Sequence, residues 1–379
     1  MKLLKKISLL VLSMFAVSSA SAQNVDGLLA DLKKTIAPDG RTAIWNVNTT
    51  LQNGVVTLYG KVDSNAANQA IEKMLNENNV KFDNRLIVLE NSQELPWAFI
   101  KLSVASLRTE GRHAAEMATQ GIMGMPVKML EKDDDWYRVQ MPDDYIAYVP
   151  GNSLIRVDNE RFEQWKKAKR YIVTVYQTRL VAQPKSDETV SDLVMGNILE
   201  YKGDEGKWVR LATPDGREGY VEKSEVEEFA KWAKQDFDAE TVSRTAHRMM
   251  GSGYLWGGTT TKLTDCSGLA KVSYFSNAII LQRDASQQAL TGKIIKAEDW
   301  KDARLGDLVF FGTKSGRVTH VGIYLHDGKY IHCSGQVKIN SVDPEADDYL
   351  TTPFLSISRI DGMVGTKGIT AVRNHPWYF

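Results

Sequence analysis

Residues 305–335 read LGDLVFFGTKSGRVTHVGIYLHDGKYIHCSG, and their pattern decides the class of the last third of the chain. An apolar run rich in strand formers starts near Leu305. Arg317–Tyr324 alternates as a strand, Asp327-Gly328 marks a tight turn, and Tyr330–Gly335 is strand-like again. That turn sets His320 and His332 on adjacent antiparallel strands, one beside the other. Upstream, Glu225–Lys234 and Ala239–Met250 read as helices. Helices first and strands later imply an α+β domain over 227–379, with its sheet formed from the C-terminal half.

Outward from this stretch lies Asp265-Cys266-Ser267-Gly268-Leu269, just before a helical run reaching Phe275 and just after the turn-rich Gly257–Thr261. A thiol in the first turn of a helix faces unpaired amides and the positive end of the helix dipole, and both favour the reactive thiolate. On position alone an inert buried cysteine is the commoner outcome, so partners have to decide. A nucleophile at a helix start, a base on a strand and a second polar side chain behind the base make the cysteine-protease arrangement. Cys266, His320 and His332 can supply those three parts, whereas His326 sits at the turn and is expected to face solvent. Two other uses compete. Cys266 and Cys333 are the only cysteines and could bridge in an oxidising compartment. Zinc is the other use, but no Cys-x-x-Cys spacing exists, and His332 and Cys333, being adjacent in a strand, point to opposite faces. No metal and no organic cofactor are expected.

The N-terminus carries Lys2, Lys5 and Lys6, an apolar run from Ile7 to Val17 and Ser19-Ala20-Ser21-Ala22, the pattern of a secretory signal peptide cleaved after Ala22. That apolar run is too short to span a bilayer and no cysteine lies near the cleavage site, so a soluble, exported chain without a stable membrane anchor is expected. Lys+Arg and Asp+Glu balance at 47 each, and three lysines leave with the leader. The absence of a basic excess argues against a nucleic-acid partner.

Residues 23–93 read as a small α+β unit: Asn53-Gly54 joins the runs Trp45–Leu51 and Val55–Val62, and a helix over Ala66–Asn76 and a strand at Leu86–Leu89 follow. This unit resembles the BON-type modules of exported bacterial proteins. The middle of the chain repeats itself. Trp136, Pro142-Asp143 and Tyr148-Val149 recur at identical offsets, 72 residues on, as Trp208, Pro214-Asp215 and Tyr220-Val221. Each copy suits a small β-barrel whose tryptophan packs the core, and the copies resemble bacterial SH3-like domains over 98–157 and 170–226. The charged, helix-prone Asn159–Arg170 between them reads as a linker.

Taken in order, Tyr254-Leu255-Trp256-Gly257-Gly258, Asp265-Cys266-Ser267-Gly268, Leu305–Phe311, Thr319–Tyr324 and His332 resemble the NlpC family of cell-wall cysteine peptidases over most of residues 240–345. The resemblance implies a papain-like α+β fold and hydrolysis of the γ-D-glutamyl to diamino-acid bond of peptidoglycan stem peptides. It implies Cys266 as nucleophile, His320 as general base, His332 as the residue that orients it, and Tyr254 near the oxyanion beside the Cys266 amide. Asp307 is expected to shape a turn.

With paired SH3-like domains ahead of the catalytic domain, the chain is most similar to the dipeptidyl-peptidase VI type of that family. There the first SH3-like domain narrows the cleft and helps bind the free amine of an L-Ala-γ-D-Glu end. Here the resemblance makes Tyr145 the matching tyrosine and Glu116 the first choice of acid, with Glu110 second and with Asp265 and Ser267 as further contributors. One departure stands out. Where the family has Arg, any residue, Ser and then Gln, this chain reads Arg283-Asp284-Ala285-Ser286-Gln287-Gln288, leaving Asp284 or Ser286 to replace the serine. Three functions follow: a peptidase acting as a monomer on freed muropeptides, an endopeptidase anchored on intact wall by its SH3-like domains, or a non-catalytic wall-binding protein.

Overall fold

The computed structural model describes residues 24–379, so the expected signal peptide lies outside the described residues. Among the described residues no helix is long and apolar enough to cross a membrane. Two compact units are present, one running through Pro96 together with Met129–Glu131, the other comprising Trp97–Lys128 and Lys132–Phe379.

In the first unit the Asn-Gly signal becomes a hairpin: Asn53 (φ 51°) and Gly54 (φ 76°) are both left-handed and join Trp45–Gln52 to Val55–Val62. Ser64 caps helix Asn65–Glu77 by accepting from the Ala67 amide. The helix leads to Phe82–Val88, which runs parallel to Val55–Val62. The last strand thus starts earlier than Leu86, and Leu89 opens a 3-10 turn instead. A helix over 24–36 contributes Val25 and Leu29 to a core with Leu58, Val62, Ile71 and Leu75.

In the second unit the internal repeat is a repeat of topology. Trp97–Val157 and Arg170–Glu228 each give seven strands. Numbered within its own copy, each sheet has the order seventh, first, fourth, fifth, sixth, second, third. Even the register agrees, since Arg138 faces Tyr148 in one copy and Arg210 faces Tyr220 in the other. The two tryptophans differ from each other: Trp136 is buried as expected, and Trp208 is not. Trp208 is half-buried and stays out of the core, because on the strand Trp208–Ala212 alternation sends Val209 and Leu211 inward and Trp208 and Arg210 to the other face. Trp136 is buried, edge-on to His113.

The charged segment read as a linker is helix Asn159–Lys167, and it packs as core: Phe162 stacks on Trp97 at 4.0 Å and Trp165 lies 4.6 Å from Phe99. The helix expected over Glu225–Lys234 is mostly absent. Val226–Glu228 instead pairs with Tyr171–Val173 to close the second sheet, and only Phe229–Trp232 forms a helical turn. Closing that sheet edge overrides local helix propensity.

The C-terminal domain has helices α1 (Ala239–Arg248), α2 (Cys266–Phe275) and α3 (Ala285–Gln288). Its sheet comprises β1 (Lys293–Lys296), β2 (Leu308–Gly312), β3 (Val318–Tyr324), β4 (Lys329–Ser334), β5 (Gln336–Ser341) and β6 (Phe354–Arg359), in the spatial order β1-β6-β2-β3-β4-β5. One face packs Phe310, Val321, Ile323 and Ile331 against Leu269, Ala270 and Tyr274 of α2. Asp307 does more than shape a turn: it accepts from the Arg304 amide at 2.9 Å and pairs with Arg359 at 3.0 Å. Asp327 (φ 50°) and Gly328 (φ 75°) make the expected turn between β3 and β4.

In the β3–β4 register Gly322 faces His332, so His320 and His332 are diagonal neighbours on one face. The crossing is too close for a side chain at 322. A Cβ there would lie 2.5 Å from Cδ2 of Tyr330 and 3.2 Å from Cβ of His332. Gly322→Ala is therefore expected to destabilise the domain by about 1–3 kcal/mol through overpacking. Urea unfolding monitored by tryptophan fluorescence checks this, with an unchanged midpoint as the contrary result.

Candidate active site

Asp265 begins the site. It caps α2 by accepting from the Gly268 amide at 2.7 Å, and it accepts from the Gly257 amide at 3.0 Å, tying the Gly257-Gly258 turn to the helix start. Arg283 donates to both of its oxygens, at 2.5 and 3.3 Å, and to Ser267 Oγ at 2.9 Å, while Ser267 donates to Asp265 at 3.2 Å. Helix and turn touch so closely that a Cβ on Gly268 would lie 1.9 Å from the Gly258 carbonyl oxygen. Asp265, Ser267 and Arg283 are all buried; burial works against the Arg283 charge, but the Asp265 carboxylate, by charge and hydrogen bond, together with Asp284 and Tyr145 more than offsets it, and Arg283 stays cationic. Asp265 and Ser267, expected to help bind a substrate amine, both bond to Arg283.

Cys266 is the first residue of α2 and is only 8% exposed. Its sulfur faces the backbone amides of Val321, from β3, and Ser267. No disulfide forms, for both cysteines are free and Cys333 donates instead to the Thr264 carbonyl at 3.3 Å. Tyr254 is half-buried against Cys266, Asp265 and Cys333, and burial, reinforced by those groups, keeps its hydroxyl protonated and able to donate. At the first residue of a helix the Cys266 amide has no intrahelical acceptor.

His320 and His332 meet directly, His320 Nε2 to His332 Nδ1, at 2.7 Å. Behind them stands a residue the sequence reading missed: Asn340 of β5 lies 2.9 Å from His332 Nε2. Nothing in the sequence marks it, for Asn340 shares the polar phase of Gln336 and Lys338 on a strand whose apolar phase is Val337 and Ile339. His326 is exposed beside Asp327, as expected. Among the described residues no group of His, Cys, Asp and Glu could hold a metal ion.

The turn Pro142–Tyr145, from the first SH3-like sheet, reaches the same place. Asp143 pairs with Lys271 of α2 at 2.5 Å, Lys271 also donates to the Leu281 carbonyl, and His375 Nε2 lies 2.9 Å from the Pro142 carbonyl oxygen. So held, Tyr145 is buried close enough to Arg283 to act on its charge. Glu116 is exposed next to Met117, whose carbonyl abuts Gly257, and its carboxylate makes no hydrogen bond among the described residues. Glu110 is exposed and pairs with Arg112. Asp284 is partly exposed and caps α3. A cavity of about 410 Å³ borders another face of α2 at Lys271, Val272 and Phe275, but neither Cys266 nor His320 lines it.

The electrostatics overturn one sequence expectation. Burial, followed by the Asp265 charge, pushes the Cys266 thiol up to about 12, against the pull of the helix start. Burial, followed by His332, pushes His320 down to about 3. Both groups are neutral at pH 7, a thiol and an imidazole rather than an ion pair. Iodoacetamide should therefore alkylate Cys266 at a rate that keeps rising with pH from 6 to 9. A rate already level across that range would reveal a standing thiolate and contradict this picture.

The pattern of the NlpC/P60 family matches residues 251–359, and that of the bacterial dipeptidyl-peptidase Sh3 domain matches residues 107–154. Dipeptidyl-peptidase 6 of Lysinibacillus sphaericus is 28% identical over 280 residues, which is 70% of this chain and 99% of that protein. A gamma-D-glutamyl-L-lysine dipeptidyl-peptidase of Bacillus cereus is 24% identical over 62% of this chain and 73% of that protein. A probable endopeptidase of Haemophilus influenzae is 33% identical over 31% of this chain and 73% of its own length. The crystal structure of an NlpC/P60 family protein from Bacillus cereus superposes with a TM-score of 0.61 at 21% identity, covering 69% of this chain and 99% of that one, which establishes a common fold. Through its catalytic-type domain and the SH3-like domain ahead of it, this chain belongs to the NlpC/P60 family of cysteine peptidases.

Proposed function

We propose that this protein hydrolyses the γ-D-glutamyl to diamino-acid bond of peptidoglycan stem peptides, acting on freed peptides that carry an unblocked N-terminal L-Ala. The observation that carries the reading is that the helix of the buried thiol meets both the strand of the histidine pair, at the Val321 amide next to His320, and a tyrosine-bearing turn from the first SH3-like sheet. An open groove would suit intact wall, whereas a turn clamped to the helix of the thiol suits a short peptide end. The relatives named dipeptidyl-peptidase support the same substrate class.

In this mechanism Cys266 Sγ attacks the amide carbon while its proton passes to His320. Because thiol and imidazole are both neutral at rest, proton transfer is coupled to formation of the C–S bond. The oxyanion receives hydrogen bonds from the Cys266 amide and the Tyr254 hydroxyl. His320 then protonates the leaving amine of the diamino acid, and water activated by the same imidazole releases the dipeptide acid. Tyr145 and Glu116 hold the substrate ammonium. Asp265 and Ser267 act through Arg283, fixing the floor on which that end rests. We further read the processed chain as an exported monomer, periplasmic or extracellular, serving the recycling of muropeptides.

Mass spectrometry after digestion of L-Ala-γ-D-Glu-diamino-acid peptide, its N-acetylated form and whole sacculi tests the reading. The free peptide should be cut and the acetylated one spared. Equal cleavage of both, or release from sacculi alone, would favour an endopeptidase of intact wall. Glu116→Gln should raise KM for the free peptide about tenfold with little change in kcat, the loss of one charge-assisted hydrogen bond. An unchanged KM would remove Glu116 from the amine site.

A further inference from the structure

Asn340 belongs to no motif quoted above, yet it is a polar side chain only 9% exposed at the end of the histidine row. In the β4–β5 register His332 faces Lys338 and Tyr330 faces Asn340. Asn340 is thus the diagonal neighbour of His332 on one side, as His320 is on the other. Three adjacent strands lay His320, His332 and Asn340 across one face of the sheet. The row ends on a backbone atom, since Asn340 Nδ2 donates to the Asp348 carbonyl oxygen at 2.7 Å. That carbonyl is itself fixed, because the Asp348 side chain pairs with Lys329 at 2.7 Å and the Ser341 amide also points to it at 3.4 Å.

A carbonyl oxygen only accepts, and this fixes every proton upstream of it. The Asn340 atom facing Asp348 must be the NH2, so the atom facing His332 is the amide oxygen, also an acceptor. His332 Nε2 must then carry a hydrogen. The neutral ring, kept neutral by burial and by nearby Lys338, leaves Nδ1 as a lone pair. His320 Nε2, 2.7 Å from that lone pair, must carry the hydrogen between them. The remaining nitrogen, His320 Nδ1, is left unprotonated and available to the thiol.

We infer that Asn340, anchored on the Asp348 carbonyl, is a positioning residue that sets the tautomers of His332 and His320 and so designates His320 Nδ1 as the proton acceptor. The inference rests on the reading of His320 as base and extends it by one residue and one backbone atom. Without Asn340 the His332 ring can present either nitrogen, and in the wrong tautomer two N–H groups confront each other between the rings. His320 then turns a hydrogen toward Cys266 and cannot accept one.

The test is a two-bond proton–nitrogen correlation spectrum of the full-length protein at pH 7, without substrate, beside kinetics of Asn340→Leu on the free tripeptide. In the unmutated protein both rings should carry hydrogen on Nε2 and none on Nδ1. In the variant both rings should become tautomer mixtures, and kcat should fall about 10- to 100-fold with KM little changed, as for outer residues that orient an imidazole. A hydrogen on His320 Nδ1 in the unmutated protein overturns the proposal, and so does a variant whose tautomers stay put, whatever its activity. The unmutated spectrum decides alone should the variant not fold. Absent turnover by the unmutated protein would sink the peptidase reading instead, a separate outcome.

Discussion

Two oxygens of Asp265 receive five hydrogen bonds, from the Gly257 and Gly268 amides, from Ser267 Oγ and from two nitrogens of Arg283. A carboxylate buried this far is tolerable only when so fully paired, and removing Arg283 alone would leave an uncompensated charge costing about 3–5 kcal/mol. This one group ends the turn that precedes α2, starts the helix and so fixes where the Cys266 sulfur lies. It also holds the guanidinium beside which Tyr145 rests. The Cys266 thiol and the turn that carries Tyr145 are therefore tied to the same ion pair.

That anchorage has an electrostatic consequence. Burial opposes the thiolate, and the Asp265 charge next to the sulfur opposes the helix dipole as well, so the sulfur is kept protonated. Burial also holds the histidine pair neutral, although His332 is fully buried and His320 only partly. A neutral thiol is also less open to adventitious oxidation in an oxidising compartment. In the proposed mechanism the site becomes charged only when a substrate carbonyl is in place to take up the electron pair of the sulfur.

What could be read in the sequence was local. Asn53-Gly54 and Asp327-Gly328 announced their turns because only those residue types accept left-handed backbone cheaply, and the second turn is what lays His320 beside His332. The 72-residue repeat became an identical strand order because two copies of one pattern meet the same packing demands. The misreadings share a cause. Trp208 was assigned to a core by its residue type, whereas the alternation of Val209 and Leu211 assigns the face. Glu225–Lys234 looks helical until a neighbouring sheet edge claims Val226. Asn340, the Asp307–Arg359 pair and the Asp143–Lys271 clamp join positions whose closeness only the folded sheet creates, and no spacing along the chain encodes them.

The central claim is that the sulfur of Cys266 becomes covalently bonded to the γ-D-glutamyl carbonyl carbon during turnover. Rapid acid quenching of the enzyme with L-Ala-γ-D-Glu-diamino-acid peptide, followed by peptide mapping in a mass spectrometer, reads that bond directly. The account predicts a transient thioester of the L-Ala-γ-D-Glu dipeptide on the fragment bearing Cys266. Turnover with no adduct, or an adduct on Cys333, would contradict it.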